Sequence, residues 1–222
     1  MHSHEIVYLK TRKTAGSSVE MLLQSAGQLG EQPVRESTHA VLSDDGIVGM
    51  RKVHPKIRTP LDKIWNNHMP AVRIRDELGT ERWASYTKLA CVRNPFDRVI
   101  SQFHWRRSGG ANVSDRDLVS EFRDFAKTDW ADDNDVVLID GAFVPDRLIR
   151  FEHLSDDLQS LSDATGLSLS IRELPHTKNR QSRRGDLTTG DYYDRRSADA
   201  VRTKMRWAFE HCGYAESIDS AA

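Results

Sequence analysis

Three short apolar runs, "EIVYLK", "YTKLACV" and "RLIRFE", are each followed by a polar turn and then by a segment with helical spacing. This alternation is what most narrows the folds open to the chain. Runs of this length, rich in apolar and β-branched residues, read as buried strands, and a helix between successive strands forces a crossover that makes them parallel. The spacing predicts helices over "SSVEMLLQSAG", with Val19, Leu22 and Leu23 on one face, over "FDRVISQFHWRR", and over "SDDLQSLSDATG" behind a serine cap. A fourth is expected over "SADAVRTKMRWAFEHCG", where Val201, Met205, Ala208 and Phe209 recur at helical spacing. The result is an α/β fold with a central parallel sheet and helices on both faces, in which ligands gather at the turns beyond the carboxyl ends of the strands. Residues 32–83 and 108–144 are irregular in pattern and are expected to form substrate walls or lids.

The 222 residues, 38% hydrophobic and 29% charged, suffice for one domain spanning 1–222. A net charge of -1 argues against a nucleic-acid partner, yet the charge is uneven. Eight acids face three bases between Asp115 and Asp135, whereas Arg172 to Arg206 holds ten bases and five acids, so a late basic segment could hold a small polyanion. Cys91 and Cys212 sit in apolar contexts and read as reduced structural thiols, which favours a cytoplasmic address. No stretch approaches the roughly 20 apolar residues of a membrane span, and "MHSHEIVYLK" lacks the pattern of a secretory leader.

The turn after the first strand reads "TRKTAGSS", Thr11 to Ser18. Small residues opening a helix expose backbone N–H groups at the positive end of its dipole, which makes an anion site. The order differs from the nucleotide loop GxxxxGK[ST], since Lys13 precedes Gly16 and the hydroxyls follow. The turn after the second strand reads "CVRNPFDRVISQFHW": Arg93 ends the strand, Asn94-Pro95 opens the helix, and Ser101 lies two turns into it. A guanidinium and a hydroxyl so placed suit a phosphate.

Both blocks resemble those of sulfotransferases, which use 3′-phosphoadenosine 5′-phosphosulfate (PAPS) as donor and release 3′-phosphoadenosine 5′-phosphate (PAP). The first is similar to their 5′-phosphosulfate loop, PKT(A/G)(G/S)(T/S)S, with Arg12 in place of the proline; the second is similar to R(N/D)Pxx(R)xxSxY or its Phe variant. "RFEHL" resembles a later family strand, xRYExL, and the branch most resembled is the carbohydrate type typified by heparan-sulfate 2-O-sulfotransferase. The resemblance implies a P-loop-type three-layer α/β/α fold and sulfuryl transfer to an acceptor hydroxyl of a carbohydrate, glycolipid or small molecule, with no metal required. It places Arg12, Lys13, Thr14, Ala15, Gly16, Ser17 and Ser18 around the 5′-phosphosulfate, Arg93 and Ser101 on the 3′-phosphate, and Arg98 as an ion-pair partner. "RRG" at Arg183, Arg184 and Gly185 looks like the family's late basic cofactor loop.

In-line sulfuryl transfer needs a base for the acceptor proton and a cation for the sulfuryl and departing phosphate oxygens. Lys13 fits the second task. His68, in a polar turn just before a helix opened by Pro70, fits the first, and the family's branch has a base histidine at a comparable distance, here 55 residues after Lys13. Glu31 and Glu36 are the rivals, with His54 and His104 behind them. The alternative functions are a P-loop kinase acting with ATP and magnesium, and an inactive nucleotide- or glycan-binding module.

Overall fold

The computed structural model describes residues 1–107, 113–174 and 186–218. In chain order, β1 (Ile6–Leu9) leads through a turn to α1 (Gly16–Ala26), then to an antiparallel hairpin of β2 (Val41–Ser43) and β3 (Gly46–Val48). Three short helices follow: α2 (Pro60–Ile64), α3 (Ala71–Leu78) and α4 (Thr80–Ser85). β4 (Thr87–Val92) precedes α5 (Pro95–Arg106), α6 (Asp115–Lys127) and α7 (Asn134–Val137). A small hairpin of β5 (Leu138–Ile139) and β6 (Ala142–Phe143) gives way to β7 (Arg147–Arg150) and α8 (Leu154–Thr165). The last described elements are α9 (Thr189–Tyr192), α10 (Arg195–Lys204) and α11 (Arg206–His211). No described helix is long and apolar enough to cross a membrane.

The three predicted strands are the three strands of the central parallel sheet, in the order β1-β4-β7, and the helices surround it as a three-layer α/β/α fold. β1 runs parallel to β4 with Ile6 opposite Thr87 and Leu9 opposite Ala90. The chain packs as two compact units, each made of two segments: Met1–Cys91 with Asp135–Lys178, and Val92–Asn134 with Asn179–Ala222.

In the first unit, strand alternation places Ile6, Leu89, Cys91 and Ile149 on one sheet face. They form a core with Val19, Leu22 and Leu23 of α1, Leu158 and Leu161 of α8, and Leu167. Each large apolar side chain so buried contributes about 1.5–3 kcal/mol. α8 differs from expectation at its start. A 3-10 turn over Phe151–His153 runs straight into it, so Ser155 lies inside the helix and the residue before it, His153, makes no side-chain cap. Asp157 takes the orphaned polar groups there, accepting from the Arg150 N–H at 2.8 Å and from the Arg150 guanidinium at 2.7 Å and 2.9 Å.

In the second unit, α5 opens as predicted: Asn94 Oδ1 accepts from the Phe96 N–H at 3.0 Å and Pro95 is the first helical residue. Phe122 of α6 meets Tyr192 and Tyr193 edge to face, with centroids 5.0 Å and 4.9 Å apart. Tyr193 Oη donates to the Phe96 carbonyl at 2.8 Å. α6 falls in a stretch expected to be irregular, yet Leu118, Phe122 and Ala126 recur every four residues along its buried face and Ser114 caps it. The long helix expected at the C-terminal end is two, broken at the fully buried Met205, whose φ of -108° and ψ of 31° leave the helical range. Arg98 Nη1 sits 3.4 Å from the Met205 sulfur at this break.

Candidate active site

The first turn of interest joins β1 to α1. Thr11 and Thr14 are both buried. The Thr11 hydroxyl donates to the Cys91 carbonyl, so its oxygen accepts from the Thr14 hydroxyl at 2.9 Å. These bonds hold the turn against β4 and occupy the Thr14 side chain within the loop. Lys13 and Ala15 both take left-handed backbone, with φ of 64° and 62°, a conformation that costs a non-glycine residue roughly 1–2 kcal/mol. Alternation of this kind turns successive N–H groups toward one side, as in anion-binding nests. α1 has no acidic residue in its first turn and Ala15 offers no side-chain cap; the Ala15 carbonyl accepts from the Ser18 N–H at 2.9 Å, and the dipole at this helix start favours an anion.

Gly16 stands where a side chain would crowd its neighbours. A Cβ there would lie 3.1 Å from the Thr11 carbonyl oxygen and 3.2 Å from Tyr8 Oη. Tyr8 Oη in turn reaches the Gly16 carbonyl at 3.2 Å and Cys91 Sγ at 3.1 Å, bracing the turn from beneath. Burial pushes the Cys91 thiol up to about 12, against a smaller opposing effect of the Tyr8 hydrogen bond, and burial also raises the Tyr8 phenol. Both stay protonated and serve as structural groups; Cys212, too, is a free, buried thiol. Arg12, Lys13, Ala15 and Ser17 are half-buried, while Gly16 and Ser18 are buried.

His68 lies in the same unit, with its own φ at 56°. Its Nδ1 is 2.9 Å from the backbone oxygen of Lys10, the residue that follows β1. A carbonyl only accepts, so Nδ1 carries the proton and the neutral ring has its basic lone pair on Nε2. Lys10, buried at 8% exposure, is paired with Glu20 of α1 and donates to Asn67 Oδ1 at 2.9 Å. Glu20 is also 3.3 Å from Arg51 Nη1, and Arg51 Nη2 donates to Gln24 Oε1 at 2.5 Å. Lys10, Glu20, Asn67 and His68 line one cavity of about 140 Å³ whose remaining walls are largely apolar.

Neither rival glutamate lines that cavity. Glu31 is exposed, and Glu36 is paired with Lys52. His54 is exposed, its Nδ1 accepting from the Lys56 N–H to cap a 3-10 turn. His104 is buried in the second unit with Nε2 2.8 Å from Tyr192 Oη. Sequence reading missed Lys10, Glu20, Asn67 and Arg51. A charged residue closing an apolar run, and another between Val19 and Leu22 in an amphipathic helix, were available signals for Lys10 and Glu20; nothing local marks Arg51.

The second unit holds the other phosphate candidates. Arg93 follows β4 and is half-buried; Ser101 is half-buried on α5. Arg98 is 1% exposed and bound to Asp133 and to the Ala131 carbonyl at 2.8 Å, with Trp130 stacked nearby at 5.9 Å. It is therefore a structural ion-pair partner. Arg183 and Arg184 lie outside the described residues.

A family model described as a sulfotransferase family matches residues 1–206. The chain belongs to that family and is a sulfotransferase. Comparison with curated proteins and with solved structures found no match.

Proposed function

We propose that the protein transfers a sulfuryl group from PAPS to an acceptor hydroxyl, with His68 as the base and Lys13 as the cation at the transferred group. The observation that carries this reading is the hydrogen bond from His68 Nδ1 to the Lys10 carbonyl, which ties the histidine to the first residue of the turn and leaves the basic lone pair on Nε2. The turn suits a sulfated phosphate: an uncapped helix start, two left-handed residues and a glycine that lets backbone pack closely.

In this scheme Nε2 of His68 takes the acceptor proton as the acceptor oxygen bonds to sulfur. Lys13 stabilises charge on the sulfuryl oxygens and on the bridging oxygen that keeps the electron pair of the broken bond. N–H and O–H donors of Thr14, Gly16, Ser17 and Ser18, with Arg12 and Ala15 shaping the loop, hold the 5′-phosphate. Arg93 and Ser101 hold the 3′-phosphate, as the family resemblance implies, with Arg183 and Arg184 assigned to it on the same ground. The same resemblance makes the acceptor a carbohydrate. A cytoplasmic address rests on the two buried thiols.

Calorimetric titration with PAP, ATP and 5′-AMP, without magnesium and then with it, tests the donor. Micromolar binding that needs the 3′-phosphate is expected; preference for ATP with magnesium, or no PAP binding, overturns the reading.

A further inference from the structure

Lys10, the residue after β1, meets the histidine turn with both its backbone and its side chain. Its carbonyl accepts from His68 Nδ1 at 2.9 Å, and its Nζ donates to Oδ1 of the neighbouring Asn67 at 2.9 Å. One lysine thus holds two consecutive residues. The turn needs holding, since His68 has φ of 56°, a backbone that a residue other than glycine keeps only where its surroundings fix it.

The Lys10 side chain also lies against the start of α1. A Cβ on Gly16 would be 3.3 Å from Lys10 Cγ, and the Lys10 ammonium pairs with Glu20, about one turn further along the same helix. The other carboxylate oxygen of Glu20 is 3.3 Å from Arg51 Nη1, so two cations share it. Arg51 Nη2 in turn donates to the Arg35 carbonyl at 3.0 Å. A buried ion pair is a poor stabiliser, because stripping water from both charges offsets most of their attraction. An apolar side chain at position 10 would avoid that cost but would release Asn67, whereas an ammonium has three donors and serves Glu20 and Asn67 together.

Resting on the sulfotransferase reading with His68 as base, we propose that Lys10 and Glu20 are positioning residues for that histidine. Glu20 fixes the Lys10 ammonium beside the start of α1, and Lys10 grips the Asn67–His68 turn from its side chain and its carbonyl. The helix that follows the anion loop therefore also sets the ring of the base. While the grip holds, the neutral ring keeps its proton on Nδ1 and its lone pair on Nε2.

Nitrogen-15 NMR of the full chain labelled at histidine reads the ring directly, at about pH 8.5, where an ordinary imidazole is neutral. The His68 signals are those lost in His68→Asn. Lys10→Met keeps the backbone carbonyl and leaves Glu20 paired with Arg51. Asn67→Ala removes the oxygen that accepts from Lys10 without touching the ion pair, and Asn67→Asp retains an accepting oxygen. The expected wild-type ring is protonated on Nδ1. In Lys10→Met and Asn67→Ala that nitrogen should move at least about a quarter of the way to its unprotonated shift. Asn67→Asp should restore the wild-type shifts, and PAP affinity by calorimetry should stay within twofold throughout. A wild-type ring protonated on Nε2, or ring shifts unmoved in both variants, overturns the inference; a fallen urea midpoint beside unmoved shifts makes the pair a stabiliser only. If Lys10→Met does not fold, Asn67→Ala decides alone. A wild-type chain that does not bind PAP removes the sulfotransferase reading instead, and the inference with it.

Discussion

His68 Nδ1 and the carbonyl oxygen of Lys10, 58 residues apart in sequence, are joined by a 2.9 Å hydrogen bond. That bond orients the histidine and fixes which nitrogen is basic. His68→Asn retains a residue that tolerates the left-handed backbone and an amide able to donate to Lys10. It should lower kcat about 10²–10⁴-fold, the usual contribution of a general base, while leaving PAP affinity within twofold. Turnover near the wild-type value would pass the role to another group.

Arg93→Ala and Lys13→Ala should separate binding from chemistry. The first removes a charged hydrogen-bond donor and should weaken PAP binding by about 1.5–3 kcal/mol, read by calorimetry. The second should abolish transfer with far-UV circular dichroism unchanged, since Lys13 is half-buried and outside the core cluster. Unchanged affinity or unchanged turnover, respectively, would remove each assignment.

Gly16→Ala puts a methyl group 3.1 Å from the Thr11 carbonyl oxygen and 3.2 Å from Tyr8 Oη. Overpacking of this kind costs about 1–3 kcal/mol, so a lower urea midpoint and weaker PAP binding should appear together. A protein with both properties intact would show that the turn is looser than its contacts imply.

Asp62, in the first turn of α2, is fully buried. Burial pushes its carboxyl up, but hydrogen bonds from the Ala40 N–H at 2.6 Å, His39 Nδ1 at 2.6 Å and the Thr59 N–H at 2.8 Å outweigh that and hold it well below the usual carboxylate range. Since the folded carboxyl ionises at lower pH than the unfolded one, the unfolded state binds more protons in the window between, and stability rises with pH there. The contribution should be complete above about pH 5 and fade as pH falls through the unfolded carboxylate value near 4 and toward the lower folded one. Asp62→Asn should cost about 1–3 kcal/mol at pH 7 and flatten this acid limb in urea denaturation followed from pH 7 to 3. An acid limb of wild-type steepness would assign it elsewhere.

Arg98→Ala leaves Asp133, itself buried, without its guanidinium. Breaking a buried pair from one side costs about 3–5 kcal/mol, so the unfolding midpoint should fall sharply. A loss of PAP affinity without loss of stability would instead place Arg98 on the ligand.

Sequence alone determined the elements whose signals are local. Apolar runs bounded by turns gave β1, β4 and β7, and Asn94-Pro95 gave the start of α5, because strand period and cap chemistry are set by neighbours along the chain. The order of lysine, glycine and hydroxyls in "RKTAGSS" pointed to the family on the same local footing. The stripe of Leu118, Phe122 and Ala126 was there to be read, but the charged residues around it masked α6. Only the tertiary structure decided that Lys10 and Glu20 pair at a cavity, that Arg51 reaches Glu20 and Gln24, and that Lys10 holds the histidine. Those contacts arise when distant segments fold back on one another, and spacing along a chain does not encode which side chains then meet.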